Sequence, residues 1–141
     1  MTQVQLLLLP LFLHVLLITA VGVVSLRARI RSVRAGETRL KDIALGNDAW
    51  PNRVRQLGNN FDNQFDVPML WYACCALLLA TGFADWIAVI LSWLFLVARI
   101  SHTLIHTGSN YVPTRMRIFL AGFGIVFAMW AWFGFRLFVI G

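Results

Sequence analysis

Apolar residues occupy four long runs of the sequence, and none of the four contains Lys, Arg, Asp or Glu. The runs are residues 1–26, 67–84, 86–98 and 118–135. A helix needs about 20 mostly apolar residues to cross a bilayer. Three runs suffice alone, and the third suffices if its helix continues through Arg99 to His106. The pattern predicts one all-α integral membrane domain over residues 1–141, with four transmembrane helices at approximately 4–26, 67–84, 86–106 and 116–138.

The polar segment 27–66 joins the first two predicted spans, and we expect it to be partly helical. Pro51 disfavours helix at Trp50, so a helix can begin after it and run into the second span. Polar residues then recur at the spacing of one helical face. These residues are Arg55, Asn59, Asp62 and Asp66, with Asn63 beside them. The face could bind a ligand, or it could be a solvated turn at the membrane surface, and this segment alone favours neither.

Charge indicates the orientation in the membrane. Only 13% of the residues are charged, whereas a soluble domain has about 25%. Eight of the twelve Lys and Arg residues lie between the first two spans, and Arg115 and Arg117 lie between the last two. The positive-inside rule therefore predicts that both connections are cytoplasmic and both termini are outside. Anionic lipid accounts for the net charge of +6, so we expect no nucleic acid partner.

Three polar residues interrupt the third apolar run. Arg99, His102 and His106 share one helical face. Arg99 would lie about 20 Å along the helix from Trp86, and a buried cation there is costly unless it snorkels or finds a partner. The alternative to snorkelling is a face turned toward a polar cavity.

The partners that we expect for Arg99 are carboxylates at the start of the second span. Asp66 or Asp62 would accept two hydrogen bonds from its guanidinium. Arg115 begins the fourth helix at the same depth in the membrane as Arg99 and these acids. Together they predict a cationic, amide-rich pocket for a small anionic ligand. The second reactant would be soluble in lipid. His102 and His106 also have a spacing that could bind zinc, but no Glu follows His102, so we predict no metal site.

The segment "ARISHTLIHTGSNYVPTRMRI" resembles the third-helix region of a known family, the membrane-associated proteins in eicosanoid and glutathione metabolism (MAPEG). Its members include microsomal glutathione transferases and the membrane prostaglandin E synthase. The resemblance lies in an Arg, a His-Thr pair, a Pro and a second Arg, here Arg99, His102-Thr103, Pro113 and Arg115. His106 replaces a customary Tyr, and Asp replaces a Glu in the second helix. These differences indicate a bacterial-type branch, and hence a bacterial inner membrane.

The resemblance implies a homotrimer that binds glutathione between neighbouring subunits. In the family, the arginine that aligns with Arg115 stabilises the thiolate. A guanidinium lowers the pKa of a thiol from about 8.5, and the thiolate is the nucleophile. The implied glutathione-binding residues are Arg55, Asn59, Asp62, Asn63, Asp66, Arg99, His102 and His106. The second helix fits the family pattern in two registers, Arg55/Asn59/Asp62 or Asn63/Asp66, and both stay open.

Two functions therefore stay open. The first is a glutathione-dependent transferase or peroxidase that acts on lipophilic electrophiles or lipid hydroperoxides. The second is a non-catalytic membrane protein of the same fold, which binds lipid or a protein partner.

Overall fold

The computed structural model describes residues 1–140, and they form an all-helical bundle. The α-helices are α1 (Gln3–Arg34), α2 (Asn52–Asp62), α3 (Val67–Ala80), α4 (Trp86–Thr107) and α5 (Val112–Phe135). A 3-10 turn at Leu40–Ile43 precedes α2, and a π-helical turn at Arg136–Ile140 extends α5. Three helical segments are long and apolar enough to cross a membrane: Gln3–Arg34, Trp86–Thr107 and Val112–Ile140. The predicted fold class, an all-α membrane bundle, is confirmed.

Helix α1 continues eight residues beyond the predicted end at residue 26. It begins at a capping box, in which the Gln5 side chain accepts from the Thr2 backbone N–H at 2.9 Å and the Thr2 hydroxyl accepts from the Gln5 backbone N–H at 3.2 Å. Its last turn carries Arg31 and Arg34, which interact favourably with the negative end of the helix dipole. Gly36, with φ of +73°, then reverses the chain. At 32 residues α1 is about 48 Å long, so its basic end extends past the hydrocarbon layer.

The second apolar run forms a shorter helix than its length suggests. α3 ends at Ala80, four residues before the predicted end at 84, because Gly82 takes a φ of +74° and closes a turn. At 14 residues α3 is about 21 Å long, which is less than the hydrocarbon thickness. Residues 63–66 separate it from α2, and Pro68 lies in its first turn, where a missing N–H does no harm.

Asp85 connects the start of α4 with the end of α5 at one end of the bundle. One carboxylate oxygen caps α4 by accepting from the N–H of Ala88 at 2.9 Å. The other accepts from Nε1 of Trp132 at 2.9 Å and pairs with Arg136 at 3.4 Å. We call the opposite end, which carries α2 and the turn between α4 and α5, the basic end.

The core of the bundle is aromatic and aliphatic near the Asp85 end. Trp71 is fully buried, its ring centroid lies 4.8 Å from that of Phe95, and its Nε1 donates to Ser92 at 3.1 Å. Cys74 and Cys75 are both free and buried. Large apolar side chains such as Phe12 and Phe127 are about two-thirds exposed on the outer surface, as expected for contact with lipid.

Candidate functional site

The polar face of α4 turns into the bundle near the basic end. Arg99, His102 and His106 are each only 3% exposed. α4 packs against α1, α2 and α5. From its polar face, the ring of His102 lies 6.1 Å from that of Phe119 in α5, and the His106 backbone carbonyl accepts from Gln56 in α2. The structure therefore buries all three residues of the polar face that was predicted for the third span.

Arg99 does not form the predicted ion pair with Asp66 or Asp62. Its Nη2 donates instead to the backbone carbonyl of Asn63 at 2.6 Å and to Oε1 of Gln64 at 3.4 Å. The reason is the interruption after α2: the Asn63 carbonyl lies past the helix end and lacks a helical partner. Both aspartates are exposed there, and the ion pairs within residues 1–140 involve other residues.

Gln64 holds the interruption in place from inside the bundle. It is fully buried, and its Nε2 donates to the Asn60 carbonyl at 3.0 Å and to Thr103 Oγ1 at 3.1 Å. Its Oε1 accepts from Arg99. A buried amide without such partners would be costly, so these bonds fix the position of Gln64 against α4.

The same network reaches α1 and α3 through a histidine. His14 is fully buried, 3.2 Å from Gln64 Oε1 through Nε2 and 2.8 Å from the Tyr72 hydroxyl through Nδ1. Because the amide oxygen can only accept, Nε2 carries the proton and Nδ1 accepts from the hydroxyl. We did not predict roles for Gln64, Asn60, Thr103, His14 and Tyr72. One available signal was a second polar stripe at four-residue spacing, Gln56, Asn60 and Gln64.

Arg115 lies in the first turns of α5 and borders an open groove of about 200 Å³. It is half-buried, and its guanidinium donates to the Asn110 side chain. The groove is lined by Asn63, His102, Arg115, Met116 and Phe119, and we call it the Arg115 groove. A cation, an imidazole and an amide thus face the same space as a thioether and a phenyl ring. Such a lining suits a polar anion that meets an apolar molecule.

The start of α5 adds to the positive potential of the groove. The N-cap residue Tyr111 makes no side-chain bond to the first turn, so no side chain neutralises the helix N-terminus there. Free amide groups at a helix N-terminus favour a bound anion.

The two histidines of α4 each have a buried ring nitrogen that makes no hydrogen bond within the described chain. Their rings lie 5.5 Å apart in a T-shaped arrangement, and within the described chain neither Nδ1 has a hydrogen-bond partner. The backbone carbonyl of His106 accepts from Gln56 at 2.6 Å, which ties this turn of α4 to α2. Over residues 1–140, no group of three or more His, Cys, Asp or Glu residues is arranged to hold a metal ion.

The predicted polar face of α2 does not join the groove. Arg55, Asn59, Asp62 and Asp66 are all exposed, and Arg55 pairs with Asp48 at 3.7 Å. α2 buries Val54, Leu57 and Asn60, so its opposite face must point away from the bundle. Of the nine predicted site residues, the structure places Asn63, Arg99, His102, His106 and Arg115 together.

Comparison with known proteins gives one match. The model of the MAPEG family matches residues 7–135, nearly the whole chain. No curated protein and no solved structure matches it.

Proposed function

We propose that this chain, which belongs to the MAPEG family, binds glutathione in the Arg115 groove and activates it as a thiolate. The thiolate would attack lipophilic electrophiles or reduce lipid hydroperoxides. The observation that supports this most strongly is the shared lining of the groove, in which Arg115, His102 and Asn63 lie beside Met116 and Phe119. A charged thiol and an apolar co-substrate could meet there.

Arg115 is the proposed catalytic residue, because its charge favours the ionised sulfur. The thiol of glutathione loses its proton to water, and a sulfur lone pair forms the new bond to the electrophilic carbon. In a substitution the displaced group leaves with the electron pair of the broken bond; in an addition the π electron pair moves to the neighbouring atom, which takes a proton from water. With a hydroperoxide, the sulfur attacks the terminal oxygen and the O–O bond breaks to release the alcohol, and a second glutathione then gives the disulfide and water. The guanidinium and the N-terminus of α5 both stabilise negative charge on the sulfur.

His102 and Asn63 are the proposed binding residues inside the groove. His102 offers an imidazole, and Asn63 offers an amide side chain at the interruption between α2 and α3. Arg99 supports this arrangement from behind, since it holds the backbone of Asn63. His106 lies one turn beyond His102 and borders no part of the groove, so we propose a supporting role for it.

Arg55, Asn59, Asp62 and Asp66 can contribute only from outside the groove of their own chain. We propose that they face a neighbouring subunit in a homotrimer, with glutathione between subunits. The mass of the purified protein in detergent, determined by light scattering, tests this assembly. A monomeric protein that still bound glutathione would contradict it.

The direct test of the function is thermal unfolding of the detergent-purified protein with glutathione and S-alkyl glutathiones. A ligand that binds the native state raises the apparent Tm with its concentration. We expect a rise with glutathione and a larger rise with S-hexyl glutathione, because the alkyl chain reaches Met116 and Phe119. No rise with either compound would contradict the proposal.

The exposure of four predicted ligand residues also supports the second function, a non-catalytic membrane protein that binds lipid or a partner. Turnover separates the two functions. A glutathione-induced rise in Tm without conjugation of any lipophilic electrophile, and without reduction of a lipid hydroperoxide, would favour the non-catalytic protein.

A further inference from the structure

A second groove lies between α1 and α2 at the basic end, and it shares no residue with the Arg115 groove. Its volume is about 510 Å³. Three arginines line it, Arg27 and Arg31 from α1 and Arg53 from α2, above apolar residues that include Val24 and Leu57. We call it the α1–α2 groove.

The arginines of the α1–α2 groove have no acidic partner. Arg27 and Arg31 are four residues apart, so their side chains lie on the same face of α1. Arg53 is anchored, because it donates to Gln56 at 3.1 Å and to the carbonyl of Thr107. Glu37 is the single carboxylate in the lining, yet the ion pairs in the described part of the chain include none of these four residues. The three guanidinium groups repel one another, so a bound anion would relieve this repulsion.

The floor of the α1–α2 groove continues into an apolar cleft. Val24, Arg53 and Leu57 line both spaces, and the cleft of about 240 Å³ extends between Ala20 and Val21 of α1 and Thr103 and Thr107 of α4. Ala20 precedes Arg27 by seven residues, which places it about 10 Å farther into the apolar part of α1. Arg27 is the first charged residue of the sequence, so the cleft lies where the helix enters hydrocarbon.

We infer that the α1–α2 groove binds an anionic phospholipid, with the phosphate at the three arginines and an acyl chain in the cleft. Charge selects an anion, and the apolar extension selects one that carries a hydrocarbon chain. A phospholipid of the surrounding bilayer already holds its headgroup and chain at these two depths, so it enters without leaving the membrane. A soluble phosphate would leave the cleft empty.

The test uses the full-length protein in neutral detergent and measures Tm with added phosphatidylglycerol or phosphatidylcholine. We expect phosphatidylglycerol to raise Tm by several degrees and phosphatidylcholine to have a much smaller effect. The double variant Arg27→Gln/Arg31→Gln should weaken phosphatidylglycerol binding roughly 10- to 30-fold, on the basis of the usual contribution of a basic residue near an anionic lipid. Native mass spectrometry of lipid adducts gives an independent count of bound lipid.

The control variant Arg34→Gln/Lys41→Gln removes the same charge from the same end but from outside the α1–α2 groove. It should keep the rise in Tm, and an equal loss in both double variants would show general surface attraction and overturn the inference. Val24→Phe keeps every charge and fills the junction of groove and cleft, so it should also weaken binding. Normal phosphatidylglycerol binding by that variant would contradict the acyl site. An equal rise with inorganic phosphate would overturn the lipid assignment.

This inference is independent of the proposed function. Loss of glutathione binding would leave the lipid result unchanged, because the two grooves share no residue.

Discussion

Arg115 combines two sources of positive potential at one position, its own guanidinium and the N-terminus of α5. It also remains accessible, since it is half-buried and borders an open groove. Arg99 has the opposite character: it is 3% exposed and committed to the backbone of Asn63. One arginine is thus free to meet a ligand, whereas the other supports the fold.

We predict that Arg115→Ala abolishes thiolate formation by bound glutathione while the protein stays folded. The ultraviolet difference absorbance of the thiolate in the purified protein measures this effect. Arg117→Ala is the matched control, because Arg117 lies two residues farther on, is exposed, and does not line the groove. An undiminished thiolate signal in Arg115→Ala would remove Arg115 from its assigned role.

Gln64 is the second residue whose role can be tested alone. Gln64→Leu should remove one hydrogen-bond partner each from Thr103, Arg99 and His14 in a buried setting and lower the free energy of unfolding by about 2 kcal/mol or more. Lys41→Leu, in the exposed 3-10 turn before α2, should change it by less than about 0.5 kcal/mol. Thermal unfolding in detergent compares the two, and equal stabilities would contradict a structural network at Gln64.

Among the elements, the interruption between α2 and α3 has the largest influence on the site. A continuous helix would bond the Asn63 carbonyl internally and leave Arg99 without its acceptor. The interruption instead presents that carbonyl to Arg99, the Gln64 side chain to α4, and the Asn63 side chain to the Arg115 groove. Residues 63–66 thus connect the fold of the bundle with the candidate site.

The interruption gives a clear expectation for charge exchange. Arg99→Asp should reduce expression, and the added change Asp66→Arg should not restore it, because the acceptor of Arg99 is a backbone carbonyl and not a carboxylate. Expression in the membrane fraction, compared for the two single variants and the double variant, measures this. Recovery in the double variant would mean that the two side chains do pair.

The whole molecule divides into an aromatic core near Asp85 and a polar network near the basic end. The two native cysteines belong to the core and are fully buried. The exposed turns at the two ends therefore offer sites for labelling without background from native thiols.

We predict that the basic end faces the cytoplasm and that both termini lie outside. Thr81→Cys should react with a membrane-impermeant maleimide in intact cells, whereas Leu45→Cys should react only after the membrane is permeabilised. Both positions are exposed, so accessibility of the side chain does not limit either reaction. The opposite pattern of labelling would reverse the predicted orientation.

The sequence by itself determined the fold class, the three long apolar helices α1, α4 and α5, and the inward polar face of α4. Long uncharged runs have no stable place in water, and a 3.6-residue period puts Arg99, His102 and His106 on one side of any helix. The single-domain assignment over residues 1–141, the homotrimer and the bacterial inner membrane stay predictions.

Only the tertiary structure decided which polar groups meet. Periodicity predicts what shares a face of α2, but the face that is buried depends on how α2 packs against α1 and α4. The burial of Leu57 and Asn60 therefore turned Asp62 outward. The interruption at residues 63–66 then supplied the backbone carbonyl of Asn63 as the acceptor for Arg99. Every residue has a backbone carbonyl, so the sequence does not indicate which of them is free to accept a side-chain hydrogen bond.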